Sequence, residues 1–141
     1  MKHTEQNLTR QKVYAIQRRV HKYNMIKDKG FVYLLTSEDE PEWLKVGVTT
    51  SLKSRLDGYL AHSPNKKFRY VSVFESDYSR RLELLSILAF NRIALEKYRQ
   101  EWFKFSEIDN PVKIIEGCKG RELTFLDLYD HREIMIEDET K

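Results

Sequence analysis

Two runs of aromatic and branched residues, Phe31–Thr36 and Trp43–Thr49, are separated only by the polar, acidic stretch Ser37–Glu42 with its Pro41. Both runs have strand composition, and the link between them is short. They are therefore expected to pair antiparallel. This hairpin constrains everything that follows it. A helix is expected from Ser51 to about His62, broken by Ser63-Pro64-Asn65. The next strand is Phe68–Phe74, with Phe68, Tyr70, Ser72 and Phe74 on one face and Arg69, Val71 and Val73 on the other. Asp77 or Ser79 caps a long helix reaching about Tyr98, whose apolar face is Leu82, Leu85, Ala89 and Ile93. Strand, strand, helix, strand, helix predicts a small sheet with helices around it, an α/β arrangement of the α+β kind.

The flanks add smaller elements. Thr4–Lys27 reads as an added N-terminal helix with Val13, Ile16, Val20 and Tyr23 on one stripe. That stripe is expected to pack on the domain or on a second copy of the chain, as a homodimer. Gly30 punctuates its end. Gln100–Phe105 reads as extended, Pro111–Gly117 as one or two helical turns, and Glu122–Ile136 as amphipathic but open in type. The chain of 141 residues suits one core, divided here into a basic helix at 1–29, a central domain at 30–105 and an acidic extension at 106–141.

Charge follows the same division. Residues 1–29 carry a net +6, residues 30–104 carry +2 and residues 105–141 carry −5, within an overall +3. A basic front segment suits a polyanion, and DNA is the expected partner; the bland reading is a solvated helix face. Cys118 is the single cysteine, which excludes an internal disulfide and a cysteine-based zinc site. The longest apolar run, Leu84–Phe90 interrupted by Ser86, is too short to span a bilayer. With no apolar leader at the start, the expected location is cytoplasmic, or the host cytoplasm or nucleus for a viral protein.

Gly30-Phe31-Val32-Tyr33, then Lys45-Val46-Gly47-Val48-Thr49, then Arg55 resembles the GIY-YIG nuclease superfamily. The nearest likeness is to its phage and large-virus branch, where the second motif begins with Lys. Ser63-Pro64, Glu83 with Phe90 seven residues on, and Glu101-Trp102-Phe103 continue the likeness in order, so that it covers about residues 30–105. The resemblance implies a three-stranded antiparallel sheet flanked by helices. It also implies one divalent metal, Mg²⁺ or Mn²⁺, held by a single glutamate, and hydrolysis of DNA phosphodiesters. The implied function is a metal-dependent DNA endonuclease, with a non-catalytic DNA-binding module on the same scaffold as the alternative. One departure stands out: the branch often carries His four residues after the glutamate, and here that position is Ile87.

Phosphodiester hydrolysis needs an activated water, a cation near the phosphate and help for the leaving oxygen. Tyr33 falls where the resemblance puts the base. Its phenol, near pKa 10 when free, needs nearby cations to favour the phenolate, and Lys45 on the paired strand is the expected neighbour. Arg55 offers a planar fork to a phosphate oxygen. Glu83 is the expected metal ligand, since one carboxylate plus waters and substrate oxygens suits Mg²⁺. Thr49 is expected either to cap the helix or to touch phosphate, and Arg92 to supply a second cation to the substrate. Each residue also has a plain reading. Tyr33 is an ordinary strand aromatic, Lys45 a strand-edge charge, Gly47 a bulge or close-contact site. Arg55 is a surface partner for Asp57 or Glu42, Glu83 an acid near a helix start, and His62 a loop residue.

Overall fold

The computed structural model describes residues 9–94, 97–98, 102–104, 106 and 108–129. Its elements are α1 (Arg10–Met25), β1 (Gly30–Ser37), β2 (Glu40–Thr49), α2 (Leu52–His62), β3 (Phe68–Ser76), α3 (Ser79–Ile93), β4 (Lys97–Tyr98), β5 (Trp102–Lys104), α4 (Pro111–Cys118) and α5 (Phe125–Tyr129). The α+β class is as expected. The sheet is wider than three strands: its order is β3-β1-β2-β5-β4, and every pair in it is antiparallel.

The hairpin is tighter than its acidic link suggested. Ser37 pairs with Glu40, which leaves Glu38 and Asp39 as the turn. The Ser37 hydroxyl bonds the Asp39 carboxylate at 3.2 Å and accepts from its backbone N–H at 3.1 Å. The same carboxylate accepts from the Lys67 N–H at 3.0 Å, which ties the turn to the start of β3. Local side-chain bonding of this kind is why Ser and Asp suit turns.

β3 does not keep strict alternation. Ser72 pairs with Leu34, but Tyr70 pairs with Leu35, so Val71 is an extra residue on β3. This β-bulge turns Tyr70 onto the opposite face from Ser72 and Phe74. The expectation that Phe68, Tyr70, Ser72 and Phe74 point one way is corrected by that single inserted residue, since Phe68 turns with Tyr70.

Helix α3 is shorter than read, ending at Ile93, with Ala94 extended (ψ 134°). Lys97 and Tyr98 join the sheet instead, against β5. α4 begins as the sequence indicates, with Pro111 at its start and the Asn110 carbonyl group of the side chain accepting from the Lys113 N–H at 3.2 Å.

Two apolar layers hold the fold. Val32, Leu34, Val46, Phe74 and Phe103 on one sheet face meet Leu82, Ile87 and Phe90 of α3 and Ile115 of α4. Phe90 and Phe103 make an edge-to-face pair with centroids 5.3 Å apart. The outer side of α3, Leu84, Leu85 and Leu88, meets Ile16 of α1 with Leu123 and Leu128. Asn24 clamps α1 in place: its amide donates to the Leu123 carbonyl and accepts from the Leu123 N–H, both at 2.8 Å. Of the stripe Val13, Ile16, Val20 and Tyr23, expected on the domain or on a second copy of the chain, the last three pack on the domain. No helix among the described residues is long and apolar enough to cross a membrane.

Candidate active site

The face of the sheet away from α3 is where the motif residues gather. Val32, Leu34 and Val46 point into the α3 core, so Tyr33, Lys45 and Gly47 point the other way by strand alternation. Tyr33 lies opposite Gly47 in the β1–β2 register. A Cβ on Gly47 would overlap the Tyr33 ring, with Cε1 2.7 Å away and Cζ and the hydroxyl closer still. Gly47 is therefore the floor on which the phenol rests, the close-contact reading of this glycine rather than a bulge. Lys45 sits opposite Leu35 and Trp102, a diagonal neighbour of Tyr33 and not its direct partner.

Tyr33 is 1% exposed. Its hydroxyl is 2.7 Å from that of Tyr59 on α2, and its ring meets Tyr70 edge-on at 5.2 Å. Tyr70 in turn donates to the Leu52 carbonyl at 2.6 Å, which fastens β3 to the first turn of α2. Burial pushes the Tyr33 phenol far above its ordinary 10, and the Tyr59 hydroxyl adds to the rise; the Arg55 charge pulls the other way and is outweighed. The expectation that neighbouring cations favour its phenolate is corrected by this desolvation. The Lys45 ammonium lies 5.0 Å from the centroid of the Tyr59 ring and 5.9 Å from that of Trp102, a cation set between two aromatic rings.

Beside the phenols an open groove of about 390 Å³ runs along α2, lined by Thr49, Thr50, Ser51, Ser54, Arg55, Gly58, Tyr59 and His62. Ser51 caps α2, accepting from the Ser54 N–H at 3.3 Å. The Thr49 hydroxyl folds onto the same turn, donating to the Ser51 carbonyl and accepting from its N–H, both at 3.0 Å. It shapes the groove mouth rather than capping the helix. Arg55, Tyr59 and His62 follow at helical spacing, which puts a guanidinium, a phenol and an imidazole on one wall. Asp57, the plain-reading partner of Arg55, bonds Lys53 at 3.0 Å.

Glu83 and Arg92 come from the other layer. Glu83 is half-buried on α3, one turn in from Ser79. That first turn abuts the open end of the hairpin, since a Cβ on Gly30 would lie 2.9 Å from the Ser79 hydroxyl oxygen and 3.1 Å from the Thr49 carbonyl. Ile87, where the branch has His, is 8% exposed and part of the sheet–α3 core, so that turn presents an apolar side chain to packed neighbours. Among the described residues no three His, Cys, Asp or Glu side chains are grouped as a metal cage. A single carboxylate still fits a Mg²⁺ ion that keeps most of its waters. Arg92 points at Asp127, 3.4 Å away. Arg121 and Thr124 hold the same carboxylate at 2.8–3.1 Å. Arg92 thus shares a buried carboxylate with Arg121 while its own side chain stays 49% exposed. Of the closing motif, Trp102 and Phe103 lie in β5, and Glu101 lies outside the described residues.

Sequence reasoning missed Tyr59 and Tyr70. The signal for Tyr59 was present, as it lies four residues after Arg55 on the predicted helix.

A family model matches residues 30–121, the T5orf172 domain. The chain belongs to the T5orf172 domain family. The match takes in the hairpin, the α2 groove, α3 and α4, and passes the expected edge at residue 105. T5orf172 domains are phage-associated and belong to a nuclease-related group, so a DNA-related nuclease or binding module is the coarse function. No curated protein and no solved structure matches the chain. Helix α1 lies outside the matched residues.

Proposed function

We propose that this T5orf172 domain is a GIY-YIG-type DNA endonuclease that hydrolyses phosphodiester bonds in the α2 groove, with the aid of one Mg²⁺ or Mn²⁺ ion held by Glu83. One observation carries the reading. Arg55 and Tyr59 share the groove wall, and Tyr59 is bonded to Tyr33, which rests on Gly47. Three stretches distant in sequence thus meet, with Arg55 and Tyr59 lining the open groove and Tyr33 and Gly47 buried behind Tyr59. The metal would supply charge for the phosphate and acidity for a bound water. The chain's own residues do the rest. Arg55 grips a phosphate oxygen through two parallel N–H bonds. Tyr59 faces the same oxygen with a hydroxyl fixed in direction by Tyr33. Lys45, held between Tyr59 and Trp102, keeps a positive charge behind the phenol.

A non-catalytic DNA-binding module is the second reading, and the burial of Tyr33 together with Ile87 in place of His is what favours it. Supercoiled-plasmid nicking in Mg²⁺ and in Mn²⁺ separates the two. Wild-type protein is expected to nick, and Arg55→Ala to lose about 10²-fold or more, as other removed charge-stabilising donors do. Glu83→Ala cutting at the wild-type rate refutes the metal assignment. Absence of nicking with every metal, alongside salt-sensitive DNA binding, selects the binding module.

A further inference from the structure

Helix α1 lies outside the family match and is used by no step of the proposed chemistry. Its chemistry is one-sided. Residues 9–27 contain Arg10, Lys12, Arg18, Arg19, Lys22 and Lys27, with His21 and no acid. Acids at i,i+4 would offset such charge; none is available on the helix itself. At 3.6 residues per turn, Arg10, Tyr14, Arg18 and His21 fall within about 80° of arc, opposite buried Ile16, and Lys22 flanks them. All five are exposed, and Tyr14 is 55% exposed in the middle of the row.

We infer that this face of α1 is a second, separate DNA contact, which holds the phosphates of a duplex while the groove works on another part of the same molecule. It rests on the DNA reading above but not on catalysis. Charge complementarity names the occupant. Duplex DNA carries one negative charge per roughly 1.7 Å of axis. Arg10 and Arg18 are eight residues apart, about 12 Å along the helix, which equals the major-groove width of about 12 Å that separates two phosphate rows. An exposed tyrosine between them adds a hydroxyl for a phosphate or sugar. An anionic membrane is the weaker match. The helix has spent Ile16, Val20 and Tyr23 on its own core, leaving no continuous apolar face to enter lipid. α1 covers the outer side of α3, whereas the groove lies across the sheet. Its contact therefore serves holding and not chemistry.

The test is equilibrium binding of the full chain to a duplex of about 30 bp, without metal, as salt rises from about 50 to 200 mM. Each phosphate contact contributes about 0.9 to the slope of log K against log salt. Replacing Arg10, Arg18 and Lys22 with Gln is expected to lower that slope by about 2.7, so that the salt step costs the variant about 40-fold less affinity than it costs wild type. In the nicking assay the same variant is expected to raise KM and leave kcat unchanged. Unfolding at the wild-type temperature shows the fold intact; if the triple variant does not fold, Arg10→Gln alone carries the test with a slope change of about 0.9. An unchanged slope overturns the inference. So does preferential binding of phosphatidylserine vesicles over DNA that is lost in the variant. A wild-type protein that never nicks, yet binds DNA through these residues, removes the nuclease reading and leaves this one standing.

Discussion

Gly47→Ala tests the floor of the site. The added Cβ would overlap a ring that is 1% exposed and already bounded by Tyr59 and Tyr70. A buried tyrosine ring has no flexible end to swing aside, so the ring or strand β2 must shift. Overpacking of this kind costs about 1–3 kcal/mol. Moving the ring also strains the 2.7 Å bond to Tyr59, a further 1 kcal/mol or so. The sum is about 2–4 kcal/mol. At roughly 2.1 cal/mol/K of unfolding entropy per residue, 141 residues lose about 3 °C of Tm per kcal/mol, so Tm falls by about 7–14 °C. Gly58→Ala and Gly117→Ala are internal controls. Both glycines lie in helices with nothing within 4 Å of an added Cβ, so each substitution is expected to stabilise by about 0.5–1 kcal/mol. Thermal and urea unfolding by circular dichroism read all three. A second cycle isolates the cause. If the clash is with the ring, Gly47→Ala in a Tyr33→Leu background costs less than in wild type, a coupling above about 0.5 kcal/mol. Loss of under 0.5 kcal/mol in Gly47→Ala, or strict additivity in the cycle, refutes the packing argument.

Three other outcomes follow from the same geometry. Tyr33 keeps its proton well above pH 10 in the folded state while the unfolded chain releases it near 10; stability is therefore full below pH 10 and is lost as pH rises through the window above it, at up to about 1.4 kcal/mol per pH unit. Tyr33→Phe should flatten that alkaline limb in urea titrations, and an unaltered limb counts against the buried phenol. At the acid end, burial raises the Asp127 carboxyl, but Arg121 and Thr124 outweigh it and hold the group below its usual range. Its contribution is present above about pH 4 and fades as pH falls through the folded value. Asp127→Asn should cost about 1.5–3 kcal/mol at pH 7 and progressively less in acid; equal loss at pH 7 and pH 3 contradicts the clasp. Asn24→Ala should cost about 1–3 kcal/mol by leaving the two Leu123 backbone groups unmatched. Hydrogen exchange would register it as faster exchange at Leu123 and along α1, and no change there means the helix is held by its apolar stripe alone.

What the chain disclosed and withheld has physical reasons. The hairpin was legible because its two runs have strand composition and a link too short for anything but a return. Ser51 and Pro111 were legible because caps and first-turn prolines act locally. The end of α3 was not. Ala94, Leu95, Glu96 and Lys97 are all good helix formers, and only the pairing of Lys97 and Tyr98 with β5 diverts the chain into the sheet. The bulge at Val71 was equally hidden, since an inserted residue shows only once the partner register is known. Within the site, the types and order of Tyr33, Gly47 and Arg55 could be read. The burial of Tyr33 could not, because it depends on Tyr59 and Tyr70 closing over the ring from α2 and β3. The contact of Arg92 with Asp127 could not be read either, because the two are 35 residues apart in the chain.

The role of Tyr33 can be decided by proton accounting. Even an unperturbed phenol is ionised about once in a thousand molecules at pH 7. Burial lifts this one higher, and a phosphate bound as proposed, being anionic, would lift it again. On the nuclease reading proposed above, this burial favours the protonated phenol as a hydrogen-bond donor over the phenolate as a base. Two hydrogen-bond directions are open to the pair. If Tyr33 donates to Tyr59, the Tyr59 proton is released toward the groove, where an anionic oxygen beside Arg55 accepts it; the reverse direction leaves the Tyr33 proton facing packed rings. The first satisfies both hydroxyls once substrate is present. Tyr33→Phe should then weaken phosphate engagement by the worth of one oriented, charge-accepting bond, about 1.5–3 kcal/mol or roughly 10–100-fold in kcat/KM. It should leave the pH–rate profile unshifted. A base would behave otherwise, since its loss removes the ionisation that governs the alkaline rise of the rate. Nicking rates from pH 6 to 10 for wild type and Tyr33→Phe separate the two. A wild-type rise that vanishes in Tyr33→Phe restores the phenolate and sinks the donor chain.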